Sequence, residues 1–300
     1  SDIEVIAQWT RTHEHTLLDE YEAFLRLPNV ATDNAAIRRN ADALVAMMQR
    51  RGLSPRLLES ADGKAPPAVY GEWLVPNASR TLVIYAHYDG QAVDPSEWAS
   101  DPWTPVWRRG RLDAAPEVVE RDSSQPIDPD WRLYGRSASD DKAGVFAILA
   151  ATDALKANAL LPTASIKFFF DGEEEQGSPY IGEIMRLNRD LLAADAWLIC
   201  DGPVHLSGRR QLVFGVRGDA NVDLTVYGPN RPLHSGHYGN FVVNPGLLLA
   251  QLLASMKGED GRVRIAGWYE GVEPLGAAEQ TALAVAPDDD VALLRDLGVV

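Results

Sequence analysis

Apolar residues recur at helical spacing early in the chain: Leu17, Leu18, Tyr21, Phe24 and Leu25 share one face of a segment over 4–27, which Pro28 closes. A second helical pattern runs from about Asn34 to Arg51, with Gly52 placed to end it. The period then changes. Thr81 to Ala86 is a short, nearly continuous apolar run of strand type that ends at His87. Asp94 to Trp131, rich in Pro, Trp and acids and without a period, reads as a long ordered loop or insertion. A helix is predicted from Asp141 to about Asn158, a buried strand over Ile166–Phe170 and another over Ala196–Cys200.

Strands that alternate with helices predict an α/β fold: a mostly parallel twisted sheet flanked by helices, whose active crevice opens at the carboxyl ends of the strands. Three such ends carry chemistry. His87 closes the first strand, Glu174 and Glu175 follow the second, and Asp201 follows the third. After about Ser207 the rhythm differs. Strands are expected over Gln211–Val216, Asn221–Tyr227 and Arg262–Trp268, with a helix over Pro245–Lys257. The expected organisation is a catalytic domain over 1–206 and an inserted, smaller α+β lid or dimerisation domain over 207–300.

Charge narrows the function. A formal net charge of -15 disfavours nucleic acid and anionic membrane surfaces as partners, because both would be repelled. The single cysteine, Cys200, permits no intramolecular disulfide and ends an apolar run, as a buried, inert thiol does. No apolar stretch has the length of a membrane span. Ser1-Asp2-Ile3-Glu4 is neither a signal nor a transit peptide, so a cytoplasmic location is expected unless an export signal was removed.

The candidate chemistry lies in five segments. In Tyr85-Ala86-His87-Tyr88-Asp89-Gly90, His87 can offer a ring nitrogen to a metal while Asp89 holds the other. In Ser139-Asp140-Asp141-Lys142, Asp140 stands where a helix N-cap belongs, and its two oxygens could also bridge two cations. Asp171-Gly172-Glu173-Glu174-Glu175-Gln176-Gly177-Ser178 crowds acids after a buried strand, at a cost in repulsion that cations relieve. One of these acids could bind metal while its neighbour acts as a general base. Asp201 in Cys200-Asp201-Gly202-Pro203 reads alone as a turn former. His234 and His237 lie among glycines in Leu233-His234-Ser235-Gly236-His237-Tyr238-Gly239.

Taken in order, these segments resemble the metallopeptidase family that includes carnosine dipeptidases, glutamate carboxypeptidase, aminoacylase and succinyl-diaminopimelate desuccinylase. The resemblance spans residues 87 to 239 and is carried by His87-Tyr88-Asp89, Gly135-Arg136 through Lys142, Glu174 to Ser178, Asp201 and Leu233 to Gly236. It implies two zinc ions, with cobalt or manganese as substitutes. His87 and Asp201 would bind one, Glu175 the other, and Asp140 would bridge them. It further implies Glu174 as general base, Asp89 as the group orienting His87, and His234 as an oxyanion donor from the lid domain. A homodimer through that domain and a small peptide or N-acyl amino acid substrate are expected. A further histidine ligand, with the closing part of the catalytic domain, is expected beyond Val300. Ser137 stands where the family usually has Gly, Ala143 delays the Gly expected after Lys142, and Asn240 replaces a Gly of the lid motif.

Two alternatives stay open: an N-acyl-amino-acid deacylase on the same fold, and a metal- or ligand-binding homologue without turnover. A serine or cysteine hydrolase lacks its signature, because Gly177-Ser178 is not a nucleophile elbow and Cys200 has no basic neighbour in sequence.

Overall fold

The structure is a computed structural model that describes residues 1–299 apart from 206, 207, 217, 219, 287 and 288. It divides into two compact units, Ser1–Pro203 and Val204–Val300. The domain boundary expected between 206 and 207 falls on residues outside those described.

The first unit opens with α1 (Asp2–Leu25) and α2 (Asn34–Arg50). The Asp33 side chain caps α2 by accepting from the N–H of Ala36. The strands β1 (Arg56–Leu58), β2 (Ala68–Trp73) and β3 (Thr81–His87) follow. Next come β4 (Val106–Arg108), β5 (Val118–Val119), β6 (Arg132–Tyr134) and the helix α3 (Lys142–Ala157). The unit closes with β7 (Ser165–Asp171), α4 (Ile181–Leu187) and β8 (Ala196–Ile199).

The main sheet is five-stranded and mixed, in the order β1-β2-β7-β3-β8. β3 pairs in parallel with β7 and with β8, whereas β1–β2 and β2–β7 are antiparallel. Both faces are covered, which is why the central strands read as continuous apolar runs rather than alternating ones. Phe168, Phe170 and Ala86 pack with Leu25, Ile37, Leu44 and Leu149 of the first three helices. Phe169, Val83 and Tyr85 turn the other way, onto Ile184 and Leu192.

The stretch expected to be a long ordered loop or insertion contributes a three-stranded antiparallel sheet, β5-β4-β6, whose last strand lies just past its expected end. Its strands have two or three residues each, too few to leave a period in the sequence. Arg121 fastens it to α1 through Glu22 and Asp19, and the Trp107 indole N–H donates to Glu22 at 2.8 Å.

The second unit contains α5 (Ser235–Tyr238), α6 (Pro245–Met256), α7 (Ala277–Ala284) and α8 (Asp290–Asp296). α6 matches the predicted helix, with Asn244 as its N-cap and Pro245 in its first turn. The strands expected over Gln211–Val216, Asn221–Tyr227 and Arg262–Trp268 do not form. The last contributes a single bridge, Lys257 to Val263, and no ladder partner for the other two exists among the described residues. Alternating apolar side chains make a strand only where a neighbour supplies main-chain hydrogen bonds.

Candidate metal centre

The register of the parallel strands sets the site. His87 lies opposite Asp171 across β3 and β7, and Tyr85 opposite Ile199 across β3 and β8. The loops leaving these strands therefore emerge along one edge of the sheet. At that edge His87 Nε2, one oxygen of Asp140 and one of Asp201 lie within 4.8 Å of one another. Nε2 is 2.9 Å from Asp140, 3.6 Å from Asp201 and 3.8 Å from Glu174. The imidazole is buried, and its Nδ1 faces the buried Asp89 at 3.1 Å. Asp89 also accepts the main-chain N–H groups of Glu174 at 3.2 Å and Glu175 at 2.9 Å. Gly177 closes the Glu174–Gln176 turn at φ +79°, a conformation that glycine adopts freely.

The cap position expected at Asp140 falls one residue later. Asp141, not Asp140, occupies the N-cap position of α3, and it makes no side-chain capping bond. Its carboxylate instead accepts the main-chain N–H of His87 at 3.1 Å. Asp140 projects into the open, facing the imidazole. Glycine is required at Gly144, because a Cβ there would meet the Asp141 carboxylate and lie 2.6 Å from the Cys200 carbonyl. That close approach brings α3 against the end of β8.

The electrostatics are those of crowded acids. Burial opposes charge on His87, but the carboxylates of Asp201 and Asp89 outweigh it and lift the imidazole pKa to about 11. Burial, with the nearby charges of Asp201 and Asp140, pushes Asp141 up to about 7 despite its bonds with His87. Glu174 is also raised, by burial first and then by Asp201, Glu175 and Asp89, against the pull of His87. A cation among these groups would take the place of bound protons. An imidazole with converging carboxylates is a donor set suited to zinc.

Glu175 does not join the three converging groups: its Oε2 accepts from the Gln91 amide at 2.6 Å. His234 lies in the second unit, where it is the N-cap of α5 and its Nδ1 accepts from the N–H of Gly236 at 3.0 Å. Cys200 is half-buried, and burial raises its thiol pKa, which keeps it a poor nucleophile.

Several further residues support the site. Asp171 accepts the hydroxyls of Ser178 at 2.6 Å and Tyr85 at 3.3 Å, and burial raises its carboxyl pKa. Lys142 is fully buried, its Nζ donating to the carbonyls of Phe24 and Leu27, both at 2.8 Å. Asn29, buried between α1 and α2, reaches Tyr88 and Ser137. Ser178 apart, their partners are distant in sequence, so no local pattern marks these bonds.

The Cys-Gly metallodipeptidase dug1 of Schizosaccharomyces pombe is 26% identical over 79% of this chain and 46% of its own length. The Beta-Ala-His dipeptidase of Mus musculus is 30% identical over 62% of this chain and 39% of its own length. The chain thus spans less than half of these relatives. Among solved structures, an M20 family metallo-carboxypeptidase, Sso-CP2 from Sulfolobus solfataricus, superposes with a TM-score of 0.70 and 30% identity, over 94% of this chain and 59% of that one. Among the described residues no helix is long and apolar enough to cross a membrane. The sequence model described as "Peptidase family M20/M25/M40" matches residues 83–239, more than half of the chain and all the strand ends at the site, and the chain belongs to that family.

Proposed function

We propose that the chain carries the active site of a hydrolase that cleaves the amide bond of small peptides, with two zinc ions as its cofactor. The observation behind this reading is the meeting of His87, Asp140 and Asp201 within 4.8 Å at one sheet edge, with Glu174 beside them. His87 and Asp201 would hold one ion, Glu175 the other, and Asp140 would bridge them. Zinc, when bound, supplies Lewis acidity and a water whose pKa falls toward about 7.

The chain's own groups then divide the work. Asp89 fixes the His87 tautomer through Nδ1 and leaves Nε2 free to ligate. Glu174 takes a proton from the attacking water and returns it to the leaving amine, a role suited to a carboxyl whose pKa is raised toward working pH. His234, from the second unit acting as a lid and dimer contact, would donate to the developing oxyanion.

Dipeptides are the favoured substrates, because the similar proteins named above include dipeptidases for Cys-Gly and Beta-Ala-His. A panel of dipeptides set against N-acetyl and N-succinyl amino acids tests this, with and without a chelator. Chelator-sensitive release of amino acids from dipeptides is expected. Cleavage of the acyl amino acids alone would move the reading to a deacylase, and chelator-insensitive cleavage would remove the metal from it.

A further inference from the structure

Asn29 belongs to the linker between α1 and α2, far in sequence from every acid of the site, and its side chain is fully buried. Its Nδ2 donates to the main-chain oxygen of Tyr88 at 2.8 Å and to Oγ of Ser137 at 3.0 Å. The Ser137 hydroxyl returns a bond to Asn29 Oδ1 at 3.3 Å. Tyr88 directly follows His87, and Ser137 lies three residues before Asp140. One amide thus spans the two loops that present the imidazole and the bridging carboxylate.

Further bonds make the linker a fixed platform. The N–H of Ala31 donates to the Gly90 carbonyl at 2.9 Å, and the Gln176 amide donates to the Ala31 carbonyl at 2.6 Å, so the Glu174–Gln176 turn is tied to the same segment. From the other side, Lys142 donates to the Leu27 carbonyl at 2.8 Å. Ser137 also has φ +61°, a left-handed conformation that is costly for a residue with a side chain. Its hydrogen bonds with Asn29 offset that cost.

We propose that Asn29 is a positioning residue of the metal centre: it locks the turn carrying His87 to the loop carrying Asp140, so that Nε2 and the carboxylate face each other before an ion arrives. This rests on the reading of His87 and Asp140 as ligands. The test is titration of the metal-free chain with Co²⁺, followed by calorimetry and by the visible absorption of the bound ion. Asn29→Asp keeps the size of the side chain, removes both N–H donors and sets a carboxylate against the Tyr88 carbonyl. Asn40→Ala is the control, because it removes a buried amide that donates to the Pro28 carbonyl at 2.8 Å and bonds to neither loop.

Asn29→Asp is expected to weaken Co²⁺ binding roughly tenfold, the low end for partners that orient metal ligands, and to alter the absorption bands. Asn40→Ala is expected to lower the melting temperature while leaving affinity and bands as in the parent chain. Parent-like binding and bands in Asn29→Asp would overturn the inference. So would an equal loss of affinity in Asn40→Ala, which would reduce the effect to stability. Should Asn29→Asp fail to fold, Asn29→Ser carries the same comparison with the same two outcomes. A parent chain that binds no Co²⁺ would instead sink the metal-centre reading itself.

Discussion

The carboxylate of Asp89 lies 3.1 Å from Nδ1 of His87, with both side chains shut away from solvent. Because the same carboxylate also receives the N–H groups of Glu174 and Glu175, it sets both the ring orientation and the turn that bears two further acids. Asp89→Asn replaces one acceptor oxygen with a donor that faces those N–H groups. The expected result is a loss of about 10–100-fold in zinc affinity, the range for groups that orient ligands, measured by competition with a chelator. Unchanged affinity would mean that Asp89 is structural filler.

Glu174 stands 3.8 Å from the imidazole and is not among the three converging groups. Glu174→Gln should therefore keep its metal and its melting temperature. Its turnover of a cleaved dipeptide should fall by about 10²–10⁴, the usual contribution of a positioned base. Near-normal turnover in this variant would assign the proton transfer to another group.

His87 must be neutral to ligate, yet in the metal-free chain its neighbours raise its pKa to about 11. At pH 8 the ring therefore holds a proton that metal loading must expel. The sign is fixed: apparent zinc affinity rises with pH throughout the range below about 11. Calorimetric titrations at pH 8 in buffers of different ionisation enthalpy should show net proton release. Buffer-independent heats would contradict the raised value.

Lys142 tests the scaffold rather than the chemistry. Lys142→Met keeps much of the buried stem but removes the donor to the Leu27 carbonyl, at a cost of about 1–3 kcal/mol for a buried group so abandoned, while the Phe24 carbonyl keeps the N–H of Leu27 at 3.3 Å. Burial holds the Lys142 amine well below the ordinary lysine range. Between that lowered value and the unfolded one the unfolded chain binds the extra proton, so this group's contribution to stability grows as pH rises. The deficit of Lys142→Met against the parent, read from urea unfolding, should widen from pH 7 to pH 9. A deficit that narrows would place the depressed pKa in doubt.

Much of this site can be read from sequence because strands covered on both faces leave apolar runs, and the residue after each run is at the working edge. Thus His87, the Glu174–Glu175 pair and Asp201 could be placed before any coordinates. The helix boundary misassigned the cap by one residue, since Asp140 and Asp141 are chemically alike and only the bond to the His87 N–H separates them. The antiparallel flank of β1 and β2 went unread because β1 is three residues long and β2 is interrupted by Gly71 and Glu72. In the second unit the alternation over Asn221–Tyr227 pointed to a strand that has no ladder among the described residues. Asn29 shows the opposite failure. An isolated asparagine after a proline reads as a turn residue, and its partners, 59 and 108 residues away, exist only once the chain has folded.

Acids and an imidazole from distant parts of the chain would hold metal together at the sheet edge. Elemental analysis of the chain and of Asp140→Ala, each loaded with zinc and then dialysed against metal-free buffer, tests it most directly. The parent should retain stoichiometric zinc and the variant should lose most of it with its fold intact by circular dichroism. Equal zinc in the two proteins, or none in the parent, would contradict the account.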